Sequence, residues 1–472
     1  MQATAIDRAT RAPELTPRLL ERMDLSGPRY TSYPTADRFV EAFDADAYLE
    51  ALRQRAHGVR IGGRPALSLY VHIPFCESVC YYCACNKIIT RHHDRASTYL
   101  DTLECEIELH AQVLGTHESV SQLHLGGGTP TFLSDAELER LMTALRRTFR
   151  FDADAEISIE VDPRTATPER LAFLATLGFN RLSFGVQDFD PQVQHAVHRV
   201  QSFEMVRELI ESAHLIGYPS INVDLIYGLP LQTPESFGRT IEQVAQLRPD
   251  RIALYAYAHL PQRFKPQRRI LDKDLPVGDA RLRLLQDSIA GFLAAGYTYI
   301  GMDHFALPGD PLAVAKRQGR LHRNFQGYST QPECDLVGLG VSAIGRIGAT
   351  YSQNAKTLAD YEDAVRHGRF ATQRGLAATR DDLVRRAVIM ALMCQGRVEF
   401  ESIQLAHLIS VPEYFRAELE QLAPLAELGL VELEPGAIQV TPLGWYLVRA
   451  VAMVFDRHLQ GDAMRGRFSR IV

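Results

Sequence analysis

The sequence predicts an α/β fold in which parallel strands, each followed by a helix, curl into a full or partial barrel. Three observations lead there. From residue 67 to residue 305, β-rich runs alternate with stretches of helical periodicity. The runs are nearly continuous in apolar residues, as expected of strands buried on both faces. The first strand also lacks the glycine fingerprint of a dinucleotide-binding open sheet, which leaves the doubly wound arrangement as the weaker alternative. Six or more βα units in series imply helices outside a parallel sheet, so a TIM-type barrel is expected, with its chemistry at the C-terminal ends of the strands.

Residues 1–66 form an N-terminal arm and helical extension, and within it RYTSYPT (29–35) is too rich in Tyr, Thr and Pro for a regular element. The barrel is assigned to residues 67–306. Its candidate strands are LSLYVHI (67–73), VSQLHLG (120–126), AEISIEV (155–161), NRLSFGVQ (180–187), SINVDLIYG (220–228), RIALYAYA (251–258) and TYIGMDHF (298–305). Helical periodicity fills the gaps, as in STYLDTLECEIELHAQVL and ARLRLLQDSIAGFLAAG. Ser134 with Glu137 reads as a capping box, and Thr167-Pro168-Glu169 as cap, first turn and acid. Gly178, Gly217 and Gly296 fall where helices should stop. A polar stretch with Gly and Pro, including HRNFQGYST, marks a barrel-edge extension at 307–355. Residues 356–472 read as a mainly helical C-terminal domain, in which VELEPGAIQVT (431–441) is a hairpin with a Pro-Gly turn and a last helix covers 443–457. Helices, hairpin and final helix resemble a small winged-helix unit without a basic recognition helix, so a lid or packing role is expected rather than DNA reading.

Over 472 residues, 46% are apolar and 23% charged, enough for a substantial core. The net charge of −6 argues against a general nucleic-acid binder. No run approaches the ~18 apolar residues of a membrane span. The opening MQATAIDRATRAPEL has neither a signal-peptide core nor the acid-poor character of a transit peptide, so a cytoplasmic protein is expected. Nothing demands an oligomer, and a monomer is expected.

Seven cysteines are present, and four of them, Cys76, Cys80, Cys83 and Cys85, fall directly after the first strand. Such clustering argues for metal binding rather than a disulfide framework, whereas Cys105, Cys334 and Cys394 read as small buried residues. Three thiolates on one short loop can hold three corners of an iron–sulfur cube and leave the fourth iron open. Pro74 discourages helix at Ile73, which suits a tight loop. The alternative is a zinc site made by all four cysteines. Zinc sites more often use two short Cys pairs with a long insert, and Cys83 and Cys85 are too close in sequence to face one ion easily.

After the second strand, LHLGGGTPT (123–131) suggests backbone drawn close to a ligand at Gly127, Gly128 and Thr129, because no Cβ intervenes at the glycines. Glu160, Gln187 and Asp224 occupy equivalent places near three strand ends, the pattern of a ring converging on one barrel site. Arg199 reads as either a surface cation or, if buried, a carboxylate partner, which its fork geometry suits.

Cys76-x3-Cys80-x2-Cys83, with the aromatic Tyr82 before the last cysteine, resembles the radical S-adenosylmethionine (SAM) superfamily. That resemblance implies a partial barrel of the radical SAM type. It also implies a [4Fe–4S] cluster on Cys76, Cys80 and Cys83, with S-adenosylmethionine on the open iron as source of a 5′-deoxyadenosyl radical. SLYVHIPFC, CNKIITR, QLHLGGGTPT, AEISIEVDPR, GFNRLSFGVQDF, DLIYGLPLQTPESF, YAHLP, YIGMDHFA and HRNFQGYST together are similar to the oxygen-independent coproporphyrinogen III oxidases, from about Arg29 to the C-terminus. The family's cofactor contacts carry over as Tyr70, Tyr82, Gly127, Gly128, Thr129, Glu160, Gln187, Arg199, Asp224, Ala258 and Ile344. Two S-adenosylmethionine molecules are implied, with Tyr70, Gly127, Glu160 and Ile344 serving one and the remainder the other. The departures, Ala84 for glycine and Tyr82 for phenylalanine, are conservative. The activity implied is oxidative decarboxylation of two propionates of coproporphyrinogen III to vinyl groups, giving protoporphyrinogen IX, fed by an electron donor such as flavodoxin or ferredoxin. Arg29, Tyr30, Arg263, Lys265, Arg268, His322 and Arg323 are candidates to meet the substrate carboxylates. No protein side chain is assigned as a catalytic group, and the role of Cys85 stays open. The alternative is a related haem chaperone, whose members usually lack both the fourth cysteine and the RYTSYPT arm.

Overall fold

The computed structural model describes residues 15–23, 25–58, 64–331, 334–459 and 468. Twelve strands among them make one sheet. In chain order they are β1 (Leu67–Ile73), β2 (Glu118–Gly127), β3 (Phe149–Val161), β4 (Arg181–Gln187), β5 (Ser220–Tyr227), β6 (Arg251–Ala256), β7 (Thr298–Gly301), β8 (His304–Ala306), β9 (Asp335–Leu339), β10 (Ile344–Ile347), β11 (Thr350–Asn354) and β12 (Thr372–Ala377). Across the sheet they run β12-β11-β10-β9-β1-β2-β3-β4-β5-β6-β8-β7. Pairing is parallel from β9 through β6 and antiparallel beyond both. The two end strands, β12 and β7, do not pair, so the barrel is partial.

Two differences from the sequence reading have local causes. TYIGMDHF is not one parallel strand. Gly301, Met302 and Asp303 take positive φ (140°, 44° and 69°), so the chain reverses into the β7–β8 hairpin, and β8 runs antiparallel to β6. The last segment, 443–457, is two short helices, Pro442–Tyr446 and Val448–Met453, rather than one. The capping box at Ser134, the Thr167 cap ahead of Pro168 and the left-handed Gly217 cap are all present.

The strands alternate, which the apolar-run reading hides. Leu69, Val71, Leu123, Leu125, Ile157 and Ile159 point outward into the main core beneath the helices. The opposite face, inside the barrel, is lined by polar residues that hydrogen-bond to one another. Ser68 donates to Gln122 (3.1 Å), Gln122 to Glu156 (3.0 Å) and Arg181 to Glu156 (3.0 Å), while Arg251 Nε donates to both oxygens of Asp310 (3.0 and 2.9 Å). This charged floor leaves the upper rim of the barrel for chemistry.

The C-terminal region stacks the helices Arg380–Gln395, Phe400–His407 and Arg416–Glu427 on a three-stranded antiparallel sheet (Arg397–Glu399, Val431–Glu434, Ala437–Val440). Its core, including Ile389, Leu392 and Phe415, is continuous with Tyr30 and Tyr33 of the RYTSYPT arm. The arm is irregular, as its composition predicts, and contains a cis Tyr33–Pro34 bond. Tyr30 donates to Asp456 (2.9 Å), Tyr351 donates to the Tyr33 carbonyl (3.1 Å), and the Arg457 N–H reaches the Tyr33 hydroxyl (3.2 Å). No described helix is long and apolar enough to cross a membrane.

One buried histidine makes stability depend on pH. His110 Nδ1 lies 2.8 Å from the Glu106 carbonyl and must donate to it, so Nε2 accepts from the Tyr48 hydroxyl at 3.0 Å. Burial drives its pKa down to about 4. Between pH 6.5 and 4 the unfolded chain binds a proton that the folded chain refuses, so stability falls on acidification, by about 3 kcal/mol from this group. His110→Gln protein should show a visibly shallower acid limb in denaturant midpoints measured from pH 7 to pH 4.

Candidate cluster and cofactor site

The site is built where β1 ends. Beyond Pro74, Phe75–Cys76 pairs in parallel with Ile88–Ile89, through Ile88 N–H to Pro74 O (2.7 Å) and Thr90 N–H to Cys76 O (2.9 Å). The loop between these rungs carries the other three cysteines. It is pinned by Cys83 N–H to Cys80 O (3.3 Å), by Tyr81 N–H to Val197 O (2.9 Å) and by the Lys87 ammonium on Cys83 O (2.9 Å).

The end of β2 packs directly on this loop. Gly128 and Thr129 N–H groups donate to Ile73 and Phe75 carbonyls (both 2.8 Å), and the Thr129 hydroxyl sits 3.4 Å from Cys76 Sγ. A Cβ at Gly128 would stand 2.7 Å from the Pro74 carbonyl carbon, and one at Gly127, where φ is +114°, 2.5 Å from the His72 ring. These glycines therefore serve the close approach of two strand ends.

Three barrel strands supply the facing wall. Glu160 on β3 accepts from Gly127 N–H (3.1 Å) and lies 3.5 Å from His124 Nε2. Burial opposes its ionisation, yet the His124 hydrogen bond and the Gly127 N–H hold the carboxyl below the usual range. Asp224 on β5 accepts from Asn222 (2.9 Å) and Ser183 (3.1 Å), while burial and the nearby Glu160 charge push it up to about 6. Gln187 ends β4 at φ +70°, and its Oε1 is buried without a hydrogen-bond partner. A buried acceptor left open in this way is suited to a ligand donor.

Two arginines face the sulfurs. Arg199 Nη1 is 3.5 Å from Cys80 Sγ and 3.3 Å from Asp162, with Nη2 on Gly185 O at 2.6 Å. Arg164 Nη2 is 3.6 Å from the same sulfur and 2.7 Å from Asp162. Burial pushes the Cys76 thiol up to about 11. A hydrogen bond from Cys85, helped by Lys87 and opposed by burial, brings Cys83 down to about 6.

Cys76, Cys80, Cys83, Cys85, Tyr82, Gly127, Gly128, Thr129, Glu160, Gln187, Arg199 and Asp224 line one cavity of about 200 Å³. Tyr70, Ala258 and Ile344 do not line it. Tyr70 lies one pleat below, stacked on His124 (6.0 Å, 19°) and bonded to His72 Nδ1 (3.0 Å). The Ala258 carbonyl accepts from Gln267 Nε2 (3.2 Å), which also holds the Tyr82 carbonyl (2.9 Å). Ile344 opens β10. Of the substrate candidates, Tyr30 commits its hydroxyl to Asp456, and Arg29 pairs with Asp303 (3.3 Å) above the Tyr255 ring. Arg268 is held by Pro261 O (3.0 Å), and buried Arg323 donates to Arg29 O (3.2 Å). Sequence reasoning passed over Asp162 and Arg164, although both stand in the quoted AEISIEVDPR segment, and over His72 and His124, which alternate inward with Tyr70.

Among the described residues, no three His, Cys, Asp or Glu side chains converge to hold a single metal ion. A cube asks for something different: one thiolate at each of three separate corners. Three thiols on one cavity wall, with O–H and cationic N–H donors aimed at two of them, fit that demand, and the opposing acceptors fit an amino acid and ribose.

Residues 70–244 match the radical SAM superfamily model, and 378–447 match the HemN C-terminal domain model. The oxygen-independent coproporphyrinogen III oxidase of Escherichia coli K12 is 51% identical over 454 residues, covering 96% of this chain and 98% of that protein. Its counterpart in Pseudomonas aeruginosa is 50% identical over 456 residues, with the same coverage. A solved structure of coproporphyrinogen III oxidase (HemN) from Escherichia coli, described as a radical SAM enzyme, superimposes with a TM-score of 0.89 at 50% identity, covering 95% of this chain and all of that one. With thiol loop, acceptor ring and both matched regions in one chain, this protein belongs to the oxygen-independent coproporphyrinogen III oxidases of the radical SAM superfamily.

Proposed function

We propose that the protein converts two propionate side chains of coproporphyrinogen III to vinyl groups without oxygen, giving protoporphyrinogen IX. Each conversion removes one hydrogen atom, one electron and carbon dioxide. The observation that carries the reading is the 200 Å³ cavity in which Cys76, Cys80 and Cys83, with Cys85 beside them, meet Glu160, Gln187 and Asp224. When bound, a [4Fe–4S] cluster and S-adenosylmethionine supply one-electron chemistry able to take a hydrogen atom from an unactivated carbon.

The chain's own residues bind, orient and shield. Cys76, Cys80 and Cys83 hold the cluster, and the Arg164 and Arg199 N–H groups stabilise negative charge on the Cys80 sulfur. Glu160 is suited to a cationic amino group, Asp224 to ribose hydroxyls, and the open Gln187 oxygen to a further donor. Gly127 and Gly128 bring backbone to the cavity wall, and Tyr82 packs with Val193, Val197 and Tyr257 behind the cysteine loop. Two S-adenosylmethionine molecules bind, Tyr70, Gly127, Glu160 and Ile344 serving one and the remaining contacts the other. The Tyr30–Tyr33 arm, buried against the C-terminal core, keeps bulk water from the far side of the barrel. We place the protein in the cytoplasm, acting as a monomer with a flavodoxin or ferredoxin as electron donor.

Anaerobic incubation of the reconstituted protein with S-adenosylmethionine, a reductant and coproporphyrinogen III should yield protoporphyrinogen IX and 5′-deoxyadenosine. Tight stoichiometric haem capture without porphyrinogen turnover would overturn the reading.

A further inference from the structure

A second, larger cavity of about 620 Å³ lies between the RYTSYPT arm and the far end of the sheet, within the range of sites that take drug-sized ligands. Among the described residues its charged lining is one-sided: Arg29, Arg263, Lys356 and Arg374 against a single acid, Asp37. Asp37 is already engaged by the Thr35 hydroxyl (2.6 Å) and Arg38 (3.6 Å). Three separate elements bring the cations together. Arg263 stands in the loop after β6, at the C-terminal end of the parallel strands; Lys356 follows β11; Arg374 sits on β12. Among the described residues, none of Arg263, Lys356 and Arg374 forms an ion pair. Arg374 Nε donates to Gln353 Oε1 (2.7 Å), and its guanidinium lies over Phe39 at 5.8 Å. Burial and the mutual repulsion of these charges depress the pKa of Lys356 and, through Arg263, that of Arg374.

Cations gathered from three elements around one hollow, with Arg263 and Lys356 exposed and Asp37 the acid nearest Arg374, give the cavity a net positive field that favours an anion. The wall is also joined to the cluster loop. Asn86, next to Cys85, donates to the Lys356 carbonyl at 2.9 Å, and its own carbonyl lies 2.9 Å from His72 Nε2. Phe325 adds an aromatic face to the same cavity.

We infer that Arg263, Lys356 and Arg374 bind the carboxylates of the tetrapyrrole propionates that are not reacting, and so aim the reacting side chain at the cluster loop. The inference rests on the function proposed above and names the substrate-binding part of it. Arg29, held by Asp303 and Tyr255, forms the inner wall of the same subsite.

The test uses full-length, cluster-reconstituted protein carrying Arg263→Gln, Lys356→Gln and Arg374→Gln, singly and together. Each charge removed should raise KM for coproporphyrinogen III by roughly tenfold, the scale of one lost charge-assisted hydrogen bond. The turnover number should fall as well, because the reacting side chain is no longer aimed, whereas substrate-free formation of 5′-deoxyadenosine with a chemical reductant, which needs only the cluster site, should keep its wild-type rate. Arg263→Lys and Arg374→Lys should recover part of the loss. The melting temperature of the triple variant should hold or rise, because a cluster of like charges has been removed. An unchanged KM in the triple variant, or a loss that tracks a lowered melting temperature, would overturn the inference. If wild-type protein makes no vinyl product at all, the proposed function fails instead, and the two failures are read from different samples.

Discussion

Cys80→Ser protein, reconstituted anaerobically, should hold substoichiometric iron and sulfide and form no detectable 5′-deoxyadenosine, while keeping its fold. Cys80 is the sulfur on which both arginines converge, with Arg199 at 3.5 Å and Arg164 at 3.6 Å. A serine hydroxyl, which gives up its proton far less readily than a thiol, is a much poorer ligand to cluster iron than a cysteine thiolate. The loop is anchored through backbone bonds at Phe75–Cys76, Tyr81 and Thr90, which the substitution leaves intact, so circular dichroism and melting temperature should match wild type. Iron and sulfide assays with product chromatography check the expectation. A variant that kept a full cluster and wild-type turnover would remove Cys80 from the site.

The largest stability effect is expected at the barrel floor. Arg251→Met should cost about 3–5 kcal/mol, because it strips a buried carboxylate of its cation. Arg251 and Asp310 side chains are 4% and 1% exposed, and Arg251 also lies 3.9 Å from Glu156. Burial opposes ionisation of Glu156, but Arg181 and Arg251 together hold it down to about 2. Removing Arg251 leaves Asp310 with the Leu312 N–H (2.7 Å) as partner for its charge. The double variant Arg251→Met/Asp310→Asn should regain much of the loss, since the amide keeps an acceptor for that N–H and carries no charge. Urea midpoints followed by circular dichroism measure both. A single variant within about 1 kcal/mol of wild type, well short of the loss expected when a buried pair is broken, would show that the floor does not depend on this pair.

Much of this architecture was legible because its signals are local. The cysteines and the glycines of LHLGGGTPT lie on contiguous loops. Glu160, Gln187 and Asp224 could be grouped because a parallel barrel repeats its register at every strand end. What was hidden depends on distant partners. β9 escaped notice because DLVGLG is short and glycine-rich, and only its pairing with β1 makes it a strand. β12 lies in a stretch whose pattern reads as helical, so Arg374 could not be placed beside Arg263 before the sheet was known. The hairpin within TYIGMDHF depends on positive φ at Met302 and Asp303, residue types that do not announce a turn as Asn-Gly does. The polar inner face of the strands was invisible as a network because each member, taken alone, reads as an isolated substitution in an apolar run.

The arm's hydrogen bond from Tyr30 to Asp456 spans 426 positions of the chain. During translation the tyrosine leaves the ribosome long before its partner exists, by roughly 20–90 s at ~5–20 residues per second. Throughout that interval the arm lacks the C-terminal core, including Ile389, Leu392 and Phe415, against which Tyr30 and Tyr33 are buried. The arm therefore reaches its final packing only after the last helices are made, so its docking is a closing step of folding rather than an early one.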